Sequence, residues 1–248
     1  MKRALSLVFI LGLAVLLLYV VGNMPSMGDP QNPTASHVSP HYLERGVEET
    51  GSENAVTSVI INYRGYDTMG EVTVIFCALA GVLAVLGREK KGRIYAYTDH
   101  SKVRSSPIVR TFLIFLVPFI IMFSVYTILH GELAPGGGFQ GGAVIGASMI
   151  IFTTIFGLWE ASKSIPQKLR IPLEGTAVMA FFVVGVAGLI GGGSFLTFLM
   201  PRVTESLQPA LVTWLTVIVE IGIGVGGAMI FTSILFSMIR EEEEIVVQ

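Results

Sequence analysis

Residues 214–239 read WLTVIVEIGIGVGGAMIFTSILFSMI, and Glu220 is the one ionisable side chain among them. About 20 apolar residues span the hydrocarbon of a bilayer, so this stretch predicts a membrane-spanning helix with an acid near its middle. An ionised side chain at mid-bilayer costs roughly 2.5–3.5 kcal/mol on insertion scales. A group kept at that cost faces a partner helix or a hydrated path, and a functional site is the default reading. The other reading is a protonated or hydrogen-bonded Glu that holds two helices together. Both are open from the sequence.

Working outward, the rest of the chain has the same character: 52% of its 248 residues are hydrophobic and 14% charged, with a mean hydropathy of +0.70. Segments at approximately 4–21, 69–87, 108–129, 139–158, 173–199 and 210–239 are long and apolar enough to cross. The expected fold is therefore an all-α integral membrane protein with six transmembrane helices. Placing both termini in the cytoplasm puts Lys2, Arg3, Arg88, Lys90, Lys91, Arg93, Lys102, Arg104, Arg110, Lys163, Lys168, Arg170 and Arg240 inside. Only Arg45, Arg64 and Arg202 fall outside, as the positive-inside rule requires. Met1-Lys2-Arg3 and the apolar run behind it also resemble a signal peptide. The length of that run and the lack of a clear cleavage site favour a retained anchor.

The single cysteine, Cys77, excludes an intrachain disulfide and a cysteine-based metal or Fe–S site. The basic stretch between Arg88 and Arg110 is explained by topology and calls for no nucleic acid. Residues 22–53 carry Pro25, Pro30, Pro33 and Pro40 and read as a polar outer stretch without a regular element. Within it, His37 and His41 stand four apart, but Pro40 between them argues against the helix a metal pair needs. Ala55 to Ile61 read as a short interfacial piece leading to the second span. The basic loop divides the chain into a two-span unit, 1–87, a linker, 88–107, and a four-span unit, 108–248.

Between the third and fourth spans lies HGELAPGGGFQGGAVIGA, His130 to Ala147. Pro135 stops a helix, and Gly136, Gly137 and Gly138 allow backbone angles closed to other residues. Phe139, Gln140, Gly141 and Gly142 follow, more glycine than a turn needs. A phosphate loop is excluded, since no Gly-Lys-Ser/Thr follows. Gly185/Gly188/Gly192 and Gly222/Gly226 have the spacing of close helix contacts.

APGGGFQGG resembles the loop of the B-type (MnhB/MrpB-like) component of Mrp-type multisubunit cation/proton antiporters. GGGSFL (Gly191 to Leu196) resembles that family's third-to-fourth connection, and VIVEIGIGV its last span, with Glu220 at the acidic position. His130 precedes Gly131 where the family histidine follows the glycine, so no family role is carried to it. Asn54, Arg64, Gly65, Asp67, Thr68, Gly70 and Glu71 resemble the C-terminal end of the large A-type component of the same antiporters. A detached A-type end fused ahead of a B-type unit is similar to archaeal membrane-bound respiratory complexes, the sulfane sulfur reductase before the hydrogenase.

The resemblance implies an accessory, non-catalytic component of the cell membrane, bound to other antiporter-like subunits and to the membrane subunits of a redox module. It implies transported Na+ or H+, with Fe–S or nickel only in the partners. Candidate ion-path residues are Glu220, Glu71, Asp67, Arg64, Glu132 and His130. Arg64 with Asp67 also reads as a surface pair worth under about 1 kcal/mol, and Glu174 as a helix-start acid. A structural spacer, a component of a stand-alone antiporter and an independent transporter are the competing readings. The last expects internal repeats that the sequence does not show.

Overall fold

The structure, a computed structural model, describes residues 2–86, 106–133 and 136–246. Among these residues it is all helical, and six stretches have the length and composition of membrane spans: Leu5–Gly22, Gly65–Leu86, Pro107–Leu129, Gly138–Phe156, Gln167–Ile190 and Glu205–Ile239. The expected linker 88–107 lies outside the described residues except at its end.

The chain forms two compact units, Met1–Glu44 and Arg45–Gln248. The first contains helix α1 (Lys2–Gly22) and the start of α2 (Ser39–Thr50). From Leu5 to Gly22 every side chain of α1 is exposed, an apolar surface suited to lipid or another protein. Residues 34–50 are helical, contrary to the irregular stretch expected from four prolines. Pro40 follows directly on the π-helical turn Thr34–Val38, where Ser39 N–H reaches back to Thr34 O, and this wider turn carries the helix past the ring. The rings of His37 and His41 meet edge to face with centroids 6.2 Å apart.

The second unit is built around α10 (Gln208–Val246), which packs on α6 (Gly138–Phe156), α9 (Thr176–Ile190) and α4 (Gly65–Leu86). Helix α5 (Pro107–Leu129) packs on α6, and short helices α7 (Leu158–Ser164) and α8 (Gln167–Leu173) connect α6 to α9. The largest core joins Phe181 and Val184 of α9 to Val212, Val219 and Ile223 of α10, with Ile61 and Val72 against them.

Three sequence expectations change here. Residues 173–199 are not one helix: α9 stops at Ile190, and Gly192 adopts φ +88° in the turn beyond. The apolar residues that follow, Leu196, Phe198 and Met200, fold back into the core as a loop. Ala55 to Ile61, expected at an interface, form α3 (Ala55–Thr57) and a π-helical turn (Ser58–Tyr63), with Ile61 only 1% exposed. Glu174 is the C-cap of α8, not a helix start, and is buried with Oε1 accepting a 2.6 Å hydrogen bond from Ser233 of α10.

Close approach of α6 to α10 depends on glycine. A Cβ on Gly138 would run into the carbonyl of Glu220, and one on Gly142 would lie 2.5 Å from the carbonyl of Gly224. A Cβ on Gly146 would meet Phe231 at 2.9 Å. These contacts advance together along both helices, so α6 and α10 run parallel from Gly138 and Glu220 onward. The pattern extends the glycine packing expected for Gly222 and Gly226, which lie against Ala180 and Ala177 of α9.

A candidate two-carboxylate site at the start of α6

Helix α6 has 19 residues and is about 28 Å long at about 1.5 Å per residue, close to the hydrocarbon thickness. Glu220 stands beside its first residue. The acid therefore lies level with the first turn of α6.

Glu220 is 6% exposed, and its Oε2 accepts the backbone N–H of Gly138. The carboxylate thus caps α6 at the positive end of the helix dipole. Gly137 reaches this place with φ +146°, a conformation that favours glycine, while its N–H donates to Thr127 O of α5 at 3.1 Å. Gly131 is tight as well: a Cβ there would be 3.0 Å from Gly137 Cα and 3.1 Å from Glu220 Oε1.

Glu132, an outer-surface acid by sequence, is 4% exposed. Burial pushes its carboxyl up to about 7. The Ser52 and Thr216 hydroxyls beside it act in the opposite direction, and the charges of Glu220 and Glu53 add to the rise. Despite those neighbours, Glu132 Oε2 and Thr216 Oγ1 have no hydrogen bond of proper geometry. Arg64 pairs with Asp67 and Lys163 with Glu160, and among the described residues neither Glu132 nor Glu220 has a basic partner.

Local sequence explains how Ser52 arrives there. Gly51 ends α2 with φ +74°, and the space a Cβ would take is occupied by Val212 of α10, 3.1 Å away. The next residue, Ser52, is fully buried. Asn54 then caps α3 through Val56 N at 3.0 Å and donates its Nδ2 to Gly131 O at 2.8 Å. Thr57 Oγ1 donates to the same carbonyl. The segment before α4 thereby fixes the loop carrying Glu132.

Other candidates stand elsewhere. Arg64 grips Asp67 through Nε at 2.7 Å and Nη2 at 2.6 Å, with both side chains more than half exposed. Glu71 is exposed one turn farther along α4. His130 stacks on Tyr126 with centroids 4.0 Å apart and its Nδ1 3.0 Å from Tyr126 O. Phe139 meets Phe231 edge to face, and Gln140 is exposed on α6. Pro135 lies outside the described residues. Sequence reasoning missed Ser52, Thr57 and Thr216. Only Thr216 carried a trace, one helical turn before Glu220.

Glu174 is another buried acid. It lines a cavity of about 360 Å³ with Phe76, Leu79, Ala80, Leu83 and Ala84 of α4. Nearby in sequence, Arg170 is buried with its guanidinium 4.7 Å from the Phe236 ring centroid.

This architecture, a multi-pass helical membrane protein, agrees with its relatives. Residues 108–231 match the domain related to the MnhB subunit of Na+/H+ antiporters, and the chain belongs to that family. Residues 3–95 match the MbhE family, the E-type component of MBH. A chain in the structure of the membrane-bound sulfane sulfur reductase, an archaeal respiratory membrane complex, is 33% identical. That likeness covers 96% of this chain and 97% of the other, with a TM-score of 0.63. An Mrp complex from a Dietzia species shares the fold at 23% identity and TM-score 0.62, over 95% of this chain and 25% of that one. An uncharacterized protein of Methanocaldococcus jannaschii is 30% identical over 58% of this chain and 59% of its own length. The B-type Na+/H+ antiporter subunit of Bacillus subtilis is 35% identical over 33% of this chain and 57% of its own length. The chain thus spans less than two thirds of these curated relatives.

Proposed function

We propose that the chain is an accessory component of a Na+/H+-translocating, Mrp antiporter-like module in a respiratory ion-pumping complex, and that it contributes part of a cation path. Its partners are other antiporter-like subunits and the membrane subunits of a redox module, which hold any Fe–S or nickel centre. The chain is not catalytic by itself. Both termini face the cytoplasm, the two-carboxylate site faces outward, and the chain divides into 1–87, the linker 88–107 and 108–248.

The observation that carries this reading is the Glu132–Glu220 pair, two buried acids without a basic partner among the described residues. Such a pair needs its charge met by something mobile, a cation or a proton. Its place at one end of α6 suits the mouth of a path. The likeness over 97% of a sulfane sulfur reductase chain favours a respiratory complex over a stand-alone antiporter.

A structural spacer is the second reading, favoured by the Gly138–Glu220 hydrogen bond, which clamps two helices without any transport. Affinity purification of a tagged chain after mild solubilisation, with its companions identified by mass spectrometry, tests the assignment. Antiporter-like and redox subunits together are expected. Antiporter subunits without redox subunits place the chain in a plain antiporter, and recovery of the chain alone contradicts its place in a larger complex.

A further inference from the structure

Oxygen atoms from three separate stretches of chain converge at the start of α6. Ser52 follows α2, Glu132 lies in the α5–α6 loop, and Thr216 and Glu220 stand one turn apart on α10. Two of these oxygens, Glu132 Oε2 and Thr216 Oγ1, belong to residues 4% and 0% exposed and lack a hydrogen-bond partner. Native folds rarely leave buried polar atoms unmatched, and each one calls for an explanation.

The unmet demand has a definite chemistry. Every group in the set is an oxygen, two of the four are carboxyls, and no basic side chain pairs with either among the described residues. An oxygen-only, electron-rich set suits a hard cation, not an anion or a thiol-seeking metal. Charge then selects the valence. The amide of Gly138 and the positive end of α6 meet part of the charge of Glu220. The carboxyl of Glu132 has no such amide or helix end among the described residues, and one carboxylate without a donor matches a monovalent ion better than a divalent one. Space beside the second oxygen of Glu220 is kept by Gly131, where a Cβ would be 3.1 Å from Oε1.

We infer that Glu132, Glu220, Ser52 and Thr216 form an oxygen-lined site for one dehydrated monovalent cation of the size of sodium. The site deepens the cation-path reading and rests on it. Glu132 supplies the uncompensated charge, and Thr216 and Ser52 supply neutral oxygens in place of water. Glu220 supplies the oxygen that Gly138 leaves free. Asn54 and Thr57, by holding Gly131 O, are positioning residues for the loop.

Equilibrium binding of radioactive sodium to the purified, intact complex at alkaline pH, without turnover, tests the site. Glu132→Gln and Thr216→Val are each expected to remove one bound sodium per complex or weaken it about tenfold or more. Thr216→Ser keeps the hydroxyl and is expected to bind as the parent does. Thr216→Val preserves shape, so assembly of that variant separates a lost ligand from a lost fold. Unchanged stoichiometry and affinity in both Glu132→Gln and Thr216→Val overturn the site, including the case in which a proton alone occupies it. Lost binding with normal transport keeps the site and contradicts the path reading instead.

Discussion

The backbone N–H of Gly138 donates to Oε2 of Glu220, so an acid within α10 serves as the N-terminal cap of α6. The contact exists because glycine at 138 lets the backbone sit against the Glu220 carbonyl. Gly138→Ala and Gly142→Ala are expected to destabilise the protein by about 1–3 kcal/mol each, the usual cost of overpacking. Gly70 has open space around its Cβ position, and Gly70→Ala is expected to stabilise by about 0.5–1 kcal/mol through helix propensity. Thermal melting of the solubilised complex checks all three. Tolerance of alanine at 138 and 142 would contradict the packing described.

Asn54 and Thr57 share the carbonyl of Gly131. Removing either donor with Asn54→Ala or Thr57→Val is expected to cost about 1 kcal/mol. Amide exchange in residues 130–133 should quicken more than exchange in the centre of α10. Equal protection of that loop in parent and variants would show that the two side chains do not hold it.

Glu132 gives the protein a dependence on pH of a definite sign. Its carboxyl is raised from 4.5 to about 7 by burial. Below the lower value both folded and unfolded states are protonated and the group contributes nothing. Between the two values the unfolded chain ionises while the folded one keeps its proton, so stability falls as pH rises, and the loss is complete above the higher value. Glu132→Gln removes this slope. The melting temperature of the variant relative to the parent should therefore be higher near pH 8 than near pH 5. A constant difference across that range would contradict a raised carboxyl.

Glu174 joins the turn before α9 to Ser233 of α10. Ser233→Ala leaves a buried carboxyl oxygen with one partner fewer and is expected to cost about 1–3 kcal/mol. Ser237→Ala removes a hydroxyl that donates within its own helix and is expected to cost less. Chemical denaturation of the two variants side by side checks the order.

Much of the fold is legible in the sequence because a helix crossing hydrocarbon must be continuously apolar for about 20 residues. Glu220 and the glycine loop also announce themselves by composition. The contact between them does not: Gly138, whose N–H donates to Glu220, is far away from it in the chain. Leu196, Phe198 and Met200 extend an apolar run without extending a helix, and hydropathy alone cannot separate a buried loop from a span. Glu132 and Ser52 look like surface residues because their burial comes from contacts made only in the folded state. Pro40 misleads for a related reason, because the π-helical turn that carries the helix past its ring leaves no mark in composition.

On the proposed function, Glu220 acts through its charge in moving a cation, not as a helix clamp alone. Sodium-dependent proton transport by the assembled complex in vesicles, with and without Glu220→Gln, decides between the two roles. Glutamine retains an oxygen to accept the Gly138 N–H, so the clamp survives while the ionisable group is lost. The variant complex is expected to assemble with transport slowed about tenfold or more, at least about 1.4 kcal/mol in the barrier. Transport at the parent rate by an assembled Glu220→Gln complex would rule out a role for the charge in transport and leave the residue a structural clamp.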